Sequence, residues 1–113
     1  MEITVKNLKI HYKTAGTGAD VLLLHGWGSS CEVYNAIMNN LGSLARFTAL
    51  DFPGCGQSET MTEPWDIKDY ADFVLEFIQK ANLQNPIIVG HSHGGRVCIC
   101  DTSKGILLNS PMP

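Results

Sequence analysis

The sequence predicts an α/β domain: a mostly parallel sheet with helices on both faces and an antiparallel hairpin at its N-terminal edge. Short apolar runs of the kind strands show when both faces are covered recur at 21–24 and 87–89, and Phe47-Thr48-Ala49-Leu50 reads as a further strand. Between them lie stretches whose apolar residues recur at helical spacing. Strands alternating with helices are joined by right-handed crossovers, which build a parallel sheet between two helical layers and gather sites at the strands' carboxyl ends.

The elements follow in order. Ile3 and Val5, then Leu8, Ile10 and Tyr12, alternate on either side of Asn7 and form the hairpin, and Thr14 to Asp20 is a loop carrying Gly16 and Gly18. Val21-Leu22-Leu23-Leu24 is the central strand. Ser29 and Glu32 stand at capping-box spacing ahead of Val33, Ile37 and Leu41, an apolar stripe that Gly42 ends. Phe47-Thr48-Ala49-Leu50 is the next strand, followed by a loop from Asp51 to Ser58 dense in turn formers. Asp66 caps a helix that presents Ile67, Tyr70, Ala71, Val74, Phe77 and Ile78 on one face, with Asn82 just beyond its end. Ile87-Ile88-Val89 follows Pro86; a helix is expected over 93–103 with Gly105 as its C-cap, then a last strand over 106–109 and a frayed tail.

With 113 residues and neither internal repeat nor linker, the chain reads as a single domain, 1–113, able to remove roughly two-thirds of its unfolded surface from water. Its net charge is −3, from 8 basic and 11 acidic residues, and no Lys/Arg cluster interleaves with aromatics, which argues against nucleic acid as a partner. Nothing resembles a secretory leader or a bilayer-spanning run of roughly 20 apolar residues, so the expectation is a cytoplasmic protein with no membrane partner. Cys31, Cys55, Cys98 and Cys100 show neither a C-x-x-C pair nor zinc-finger spacing, and read as reduced core thiols. No cofactor or metal is expected. A thiol or metal protein built on Cys98 and Cys100 rests on their proximity alone.

The chemistry concentrates in Gly90-His91-Ser92-His93-Gly94, a G-x-S-x-G elbow directly after an apolar strand. Such a turn holds a serine at a tight strand-to-helix corner and needs small residues on either side of it. A serine hydroxyl is a weak nucleophile until an imidazole takes its proton, and that imidazole needs a carboxylate partner. After Ser92 the sequence holds one histidine, His93, and one carboxylate, Asp101. His91 and His93 adjoin the serine too closely to aim an imidazole at its hydroxyl without distorting the elbow.

Three ordered motifs, His25-Gly26-Trp27-Gly28, Asp51-Phe52-Pro53-Gly54-Cys55-Gly56-Gln57-Ser58 and Gly90-His91-Ser92-His93-Gly94-Gly95, resemble the α/β-hydrolase fold family over residues 1 to about 97. The resemblance implies the N-terminal half of that fold. Ser92 would be the nucleophile that forms an acyl-enzyme, and the backbone N–H groups of Trp27 and His93 would form the oxyanion hole. Gly26 and Gly28 would let the loop approach the ligand closely, Gly90 and Gly94 would permit the elbow, and His25 would organise the loop by hydrogen bonding. Asp51 is expected to brace the Pro53-Gly54 turn, Trp65 to be a packing anchor and Arg96 a packing or solvent-facing residue.

The family's triad acid and histidine follow the serine, and neither Asp101 nor His93 stands where they belong; Asn109 and Ser110 occupy the end of the last strand, where some relatives carry the acid. The expected function is therefore a serine hydrolase of a small ester, amide, thioester or carbon–carbon bond, weak or inactive as this chain alone. The alternative is a noncatalytic remnant or binding module completed by a partner chain. An apolar edge at 106–108 would also invite self-association.

Overall fold

The structure, a computed structural model, describes residues 1–94, 96, 97 and 105–108. Six strands, β1 (Glu2–Val5), β2 (Leu8–Ala15), β3 (Asp20–Leu24), β4 (Arg46–Leu50), β5 (Ile87–His91) and β6 (Gly105–Leu108), form one sheet in the order β1-β2-β4-β3-β5-β6. β1, β2 and β4 pair antiparallel, whereas β4, β3, β5 and β6 run parallel. The predicted class is the one observed. Two α-helices, α1 (Asn35–Leu41) and α2 (Ile67–Lys80), make the crossovers β3 to β4 and β4 to β5. These crossovers travel in opposite directions across the sheet, so right-handed connections set the helices on opposite faces.

Alternation along the central strands divides the core accordingly. Leu22, Leu24, Leu50 and Phe52 pack with α2, while Leu23, Phe47 and Ala49 pack with Tyr34 and Met38 on the α1 side. Asp20, buried at the start of β3, ties the strand ends by accepting from Arg46 Nη2 at 2.9 Å and from the Gln84 amide at 2.7 Å.

The N-terminal hairpin turns through Lys6 (φ 53°) and Asn7 (φ 63°), the two left-handed residues a tight hairpin demands. β2 continues to Ala15, past the expected loop start at Thr14. Lys13, Thr14 and Ala15 pair with Ala49, Thr48 and Phe47 of β4, and this backbone ladder leaves no hydrophobic signal in a Lys-Thr-Ala sequence.

α2 is capped as expected. Asp66 accepts from the Asp69 amide and Asp69 returns the bond to the Asp66 amide, both at 2.9 Å. Its buried residues are Tyr70, Ala71, Phe73, Val74 and Phe77, a broader arc than predicted that gains Phe73 and leaves Ile67 partly exposed.

The first crossover helix departs from expectation. Ser30, not Ser29, is the cap, accepting from the Glu32 amide at 3.2 Å, and the segment opens as a 3₁₀ turn, Cys31–Tyr34, before α1. A 3₁₀ turn has 3.0 residues per turn rather than 3.6, which rotates the stripe. Cys31, Tyr34 and Met38 are buried, whereas Val33 and Leu41 are exposed.

Gly105, expected as a C-cap, is the first residue of β6. The register that sets Leu108 beside His91 puts Gly105 opposite Ile88, inside the ladder. The expectations for the remainder of the 93–103 helix, for Asp101, Cys98 and Cys100, and for residues 109–113 lie outside the described residues. Among the described residues no helix is long and apolar enough to cross a membrane.

Candidate active site

Ser92 stands at the corner between β5 and a helix that opens at His93, at the carboxyl end of the parallel strands. Its φ of 58° is left-handed, a conformation that costs a non-glycine residue about 1–2 kcal/mol. The helix begins at once, with the Arg96 amide donating to the Ser92 carbonyl at 3.2 Å. Ser92 is exposed and lines two cavities, one of about 660 Å³ with Trp27, Trp65, Tyr70, His93 and Arg96, and one of about 450 Å³ with Val33, Tyr34, Ile37 and His91.

Three glycines hold this corner against the rest of the sheet. Gly90 is buried in β5, in register with Leu24 of β3 and Leu107 of β6. Gly94 lies on the end of β3, where an added Cβ would stand 2.4 Å from the Leu24 carbonyl oxygen and 2.7 Å from that of His25. Gly26 lies against the elbow itself, its hypothetical Cβ 3.3 Å from the Ser92 Cβ. At Gly28 an added Cβ would meet no protein atom within 4 Å, and its φ of 73° is the left-handed conformation that favours glycine.

His25 joins two of the motifs. Its ring is 1% exposed; Nε2 accepts from the Phe52 amide at 2.9 Å and Nδ1 donates to the Gly26 carbonyl at 2.7 Å, which fixes the neutral Nδ1–H tautomer. Burial holds its pKa below that of an ordinary histidine. The residue organises the loop, as expected, by tying the 25–28 segment to the segment after β4.

Asp51 is buried and also braces, but at other points than the Pro53-Gly54 turn. Oδ1 accepts from the Cys31 amide at 2.7 Å and Oδ2 from the Gln57 amide at 2.9 Å, so one carboxylate pins the 3₁₀ turn and the loop after β4 together. Tyr34, which the expected stripe omitted, donates its hydroxyl to the Leu24 carbonyl at 2.8 Å at the foot of the 25–28 loop.

Aromatic rings enclose the floor of the site. The His93 ring packs edge-on against Tyr70 (4.6 Å between centroids), Trp27 (4.8 Å) and Phe52 (5.4 Å). Burial, with smaller contributions from His25 and Arg96, lowers its pKa, and its Nε2 has no hydrogen-bond partner. Trp27 remains 70% exposed, its ring forming a wall above the cavities. Trp65 contacts Tyr70 and Phe73 at 5.2 and 5.6 Å, the expected packing anchor, and also borders the larger cavity with Arg96. A further cavity of about 320 Å³ lies between the two N-terminal motifs, lined by Phe52, Cys55, Met61, Tyr70 and His93. Sequence reasoning passed over Tyr70 and Met61 as site residues; the helical stripe marked Tyr70 only as core.

An exposed serine at a strained strand-to-helix corner, with two loops at the same sheet end, defines the class as a hydrolase-type α/β fold. The sequence profile described as "Alpha/beta hydrolase family" matches residues 21–113, and the chain belongs to that family. Among curated proteins it is 31% identical over 119 residues to the AB hydrolase superfamily protein YisY of Bacillus subtilis, covering 97% of this chain and 44% of that one. It is 34% identical over 86 residues to a pimeloyl-[acyl-carrier protein] methyl ester esterase of Pseudoalteromonas atlantica, covering 75% of this chain and 32% of the relative. The crystal structure of a membrane phospholipase A, a bacterial virulence factor, superposes with a TM-score of 0.85 at 26% identity, over 89% of this chain and 34% of that one. The chain thus spans less than half the length of these relatives.

Proposed function

We propose that this chain carries the nucleophile and oxyanion cradle of a serine hydrolase acting on a small ester, amide, thioester or a carbon–carbon bond beside a ketone. The observation that carries the reading is Ser92: a left-handed φ of 58° at an exposed position, between cavities on either side. Strain of this kind persists only where the surroundings over-determine it, and here Gly94 and Gly26 leave the chain no other path. The names of the relatives agree in class, since they include the methyl ester esterase and an (E)-2-((N-methylformamido)methylene)succinate hydrolase. A soluble epoxide hydrolase is also similar. A serine at the elbow favours acyl transfer over that branch, whose nucleophile is a carboxylate.

In the proposed reaction Ser92 Oγ attacks the carbonyl carbon while its proton passes to a base, and the carbonyl oxygen takes the charge. The backbone N–H groups of Trp27 and His93 meet that charge. The His93 amide belongs to the first helical turn, whose N–H groups have no intrahelical acceptor, and a preorganised donor of this kind lowers the barrier by about 3–4 kcal/mol. Collapse of the intermediate breaks the bond to the leaving group, which takes a proton, and leaves an acyl-serine that water then cleaves.

Among the described residues neither His25 nor His93 is placed to serve as that base. His25 is committed to Phe52 and Gly26, and the His93 ring is packed among Trp27, Phe52 and Tyr70. That observation favours the second reading, a noncatalytic remnant or binding module completed by a partner chain, and it implies very weak turnover by these residues alone. Fluorophosphonate labelling of the purified chain, read by intact mass with Ser92→Ala as control, tests both. Labelling at Ser92 means an activated nucleophile and a base within reach. Folded protein that stays unlabelled would refute an activated serine in this chain and leave the noncatalytic reading.

A further inference from the structure

On the α1 face of the sheet, behind the candidate active site, three side chains far apart in sequence converge. His11 lies in β2, Cys31 opens the 3₁₀ turn and Asp51 follows β4, and one nitrogen, one sulfur and one carboxylate oxygen from them all lie within 4.8 Å of one another. Cys31 and Asp51 are each 1% exposed, and His11 Nε2 is buried without a hydrogen-bond partner among the described residues. We propose that His11, Cys31 and Asp51 bind a single divalent transition-metal ion of the zinc type.

The donor set suits such an ion. Imidazole nitrogen, thiolate sulfur and carboxylate oxygen are the three protein ligands of tetrahedral zinc, and their mixture disfavours the all-oxygen ions calcium and magnesium. Bond lengths of about 2.0–2.3 Å place donors about 3.5 Å apart around a tetrahedral ion, so the three need close by only about an ångström, within the reach of side-chain rotation. Metal would give His11 Nε2 the partner it lacks.

The ligands are already oriented. The Asp51 carboxylate is held by the Cys31 and Gln57 amides, one bond to each oxygen, and it also takes a hydrogen bond from the Cys31 thiol, so a bound ion would stand in place of that thiol proton, which is released to solvent. The Asp51 amide donates to the His11 carbonyl at 2.9 Å, and the His11 amide donates to Ser58 Oγ at 2.9 Å, so both backbones are fixed. Lys13, two residues along β2, carries the opposing charge and is turned to Glu32 and Asn35. Three ligands leave the fourth position to water, and His11 is the one of the three that is only half-buried. The sites of these residues, each twenty apart in sequence, give no short-range spacing signature, which is why none was expected.

The test uses the full 113-residue chain with Cys55, Cys98 and Cys100 replaced by serine, so that Cys31 is the sole thiol. Chelator-stripped protein is titrated with Co²⁺ and then Zn²⁺, and visible and near-ultraviolet absorption and calorimetry are recorded. The proposal expects one ion per chain, a thiolate-to-cobalt charge-transfer band with tetrahedral visible bands, and displacement of both by Zn²⁺. His11→Gln, which changes no buried ligand backbone, should weaken Zn²⁺ about tenfold or more with the far-ultraviolet circular dichroism unchanged. Absence of the charge-transfer band at stoichiometric Co²⁺, or Zn²⁺ affinity equal in the parent and His11→Gln, overturns the site. Because the readout is metal binding and not ester turnover, its failure leaves the Ser92 reading untouched.

Discussion

Removing the His25 ring tests whether the site is organised by the bonds seen between the two N-terminal motifs. The ring is 1% exposed and supplies the acceptor for the Phe52 amide. His25→Ala would leave that buried N–H without a partner, about 1–3 kcal/mol, and add a cavity beside Phe52, whose ring lies 5.0 Å away. Together these predict a loss of about 3–5 kcal/mol, a large share of the 5–15 kcal/mol typical of a domain. His25→Gln can set its amide oxygen where Nε2 stood and keep the Phe52 bond, so it should cost about 1–2 kcal/mol. A pH dependence accompanies this. The His25 pKa is lowered by burial, so below its unfolded value of about 6.5 the unfolded chain binds the proton and the native one does not. Stability is therefore full above that pH and falls as pH drops, by up to about 1.4 kcal/mol per unit from this group until the folded pKa is reached. His93, shifted the same way, adds to the slope. Urea unfolding at several pH values between about 7.5 and 5 reads both effects. A His25→Ala cost under 1 kcal/mol, or a difference between wild type and His25→Gln that does not change with pH, would refute the reasoning.

Four further outcomes follow from the same geometry. Gly94→Ala forces a Cβ to 2.4 Å from the backbone oxygen of Leu24, which cannot give way, so thermal unfolding should show a loss of about 3 kcal/mol or more. Gly28→Ala meets nothing within 4 Å and should cost only the left-handed strain, about 1–2 kcal/mol; equal costs for the two would show that contact is not what Gly94 avoids. Ser92→Gly releases the strain at φ 58° and should raise stability by about 1 kcal/mol while removing phosphonate labelling, whereas a destabilised variant would mean the corner is not strained. Asp20→Ala should cost about 1–3 kcal/mol at neutral pH by orphaning the Gln84 amide. Arg46 holds the Asp20 pKa below the ordinary carboxylate value, so wild-type stability from this group is present above that value and lost as pH falls through the folded pKa, and the two unfolding curves should converge in acid.

β3 was legible because a covered strand writes its burial into consecutive residues, as Val21 to Leu24 do; Ile87 to Val89 is an equally apolar run and forms β5, although Ile87 is exposed. α2 was legible for a similar reason: a charged cap and a long stripe agree, and only the width of the stripe, Phe73 included, escaped. The 3₁₀ turn at 31–34 left no such mark. Two adjacent serines offered two caps, and the 3.0-residue repeat moved burial from Val33 and Leu41 to Tyr34 and Met38. At the site the motifs marked where the loops and the elbow lie, and the bonds that tie them had to be seen: Asp51 to Cys31 and Gln57, His25 to Phe52. Contacts across twenty or more residues depend on which strands become neighbours, and β2 and β4 become neighbours only through the topology.

The site's precision traces to one residue of the central strand. Leu24 ends β3 in register with Gly90, its carbonyl accepts from Tyr34, and the same oxygen is what a side chain at position 94 would strike. The strand then passes directly into His25 and the 26–28 loop. The serine corner and the loop opposite it are thus both referenced to the end of β3, one by close contact and one by chain continuity. This explains how the fold can keep Ser92 strained: releasing φ at that residue would require lifting Gly94 off β3, which would break the parallel ladder between Leu24 and Gly90 and open the buried contacts around it.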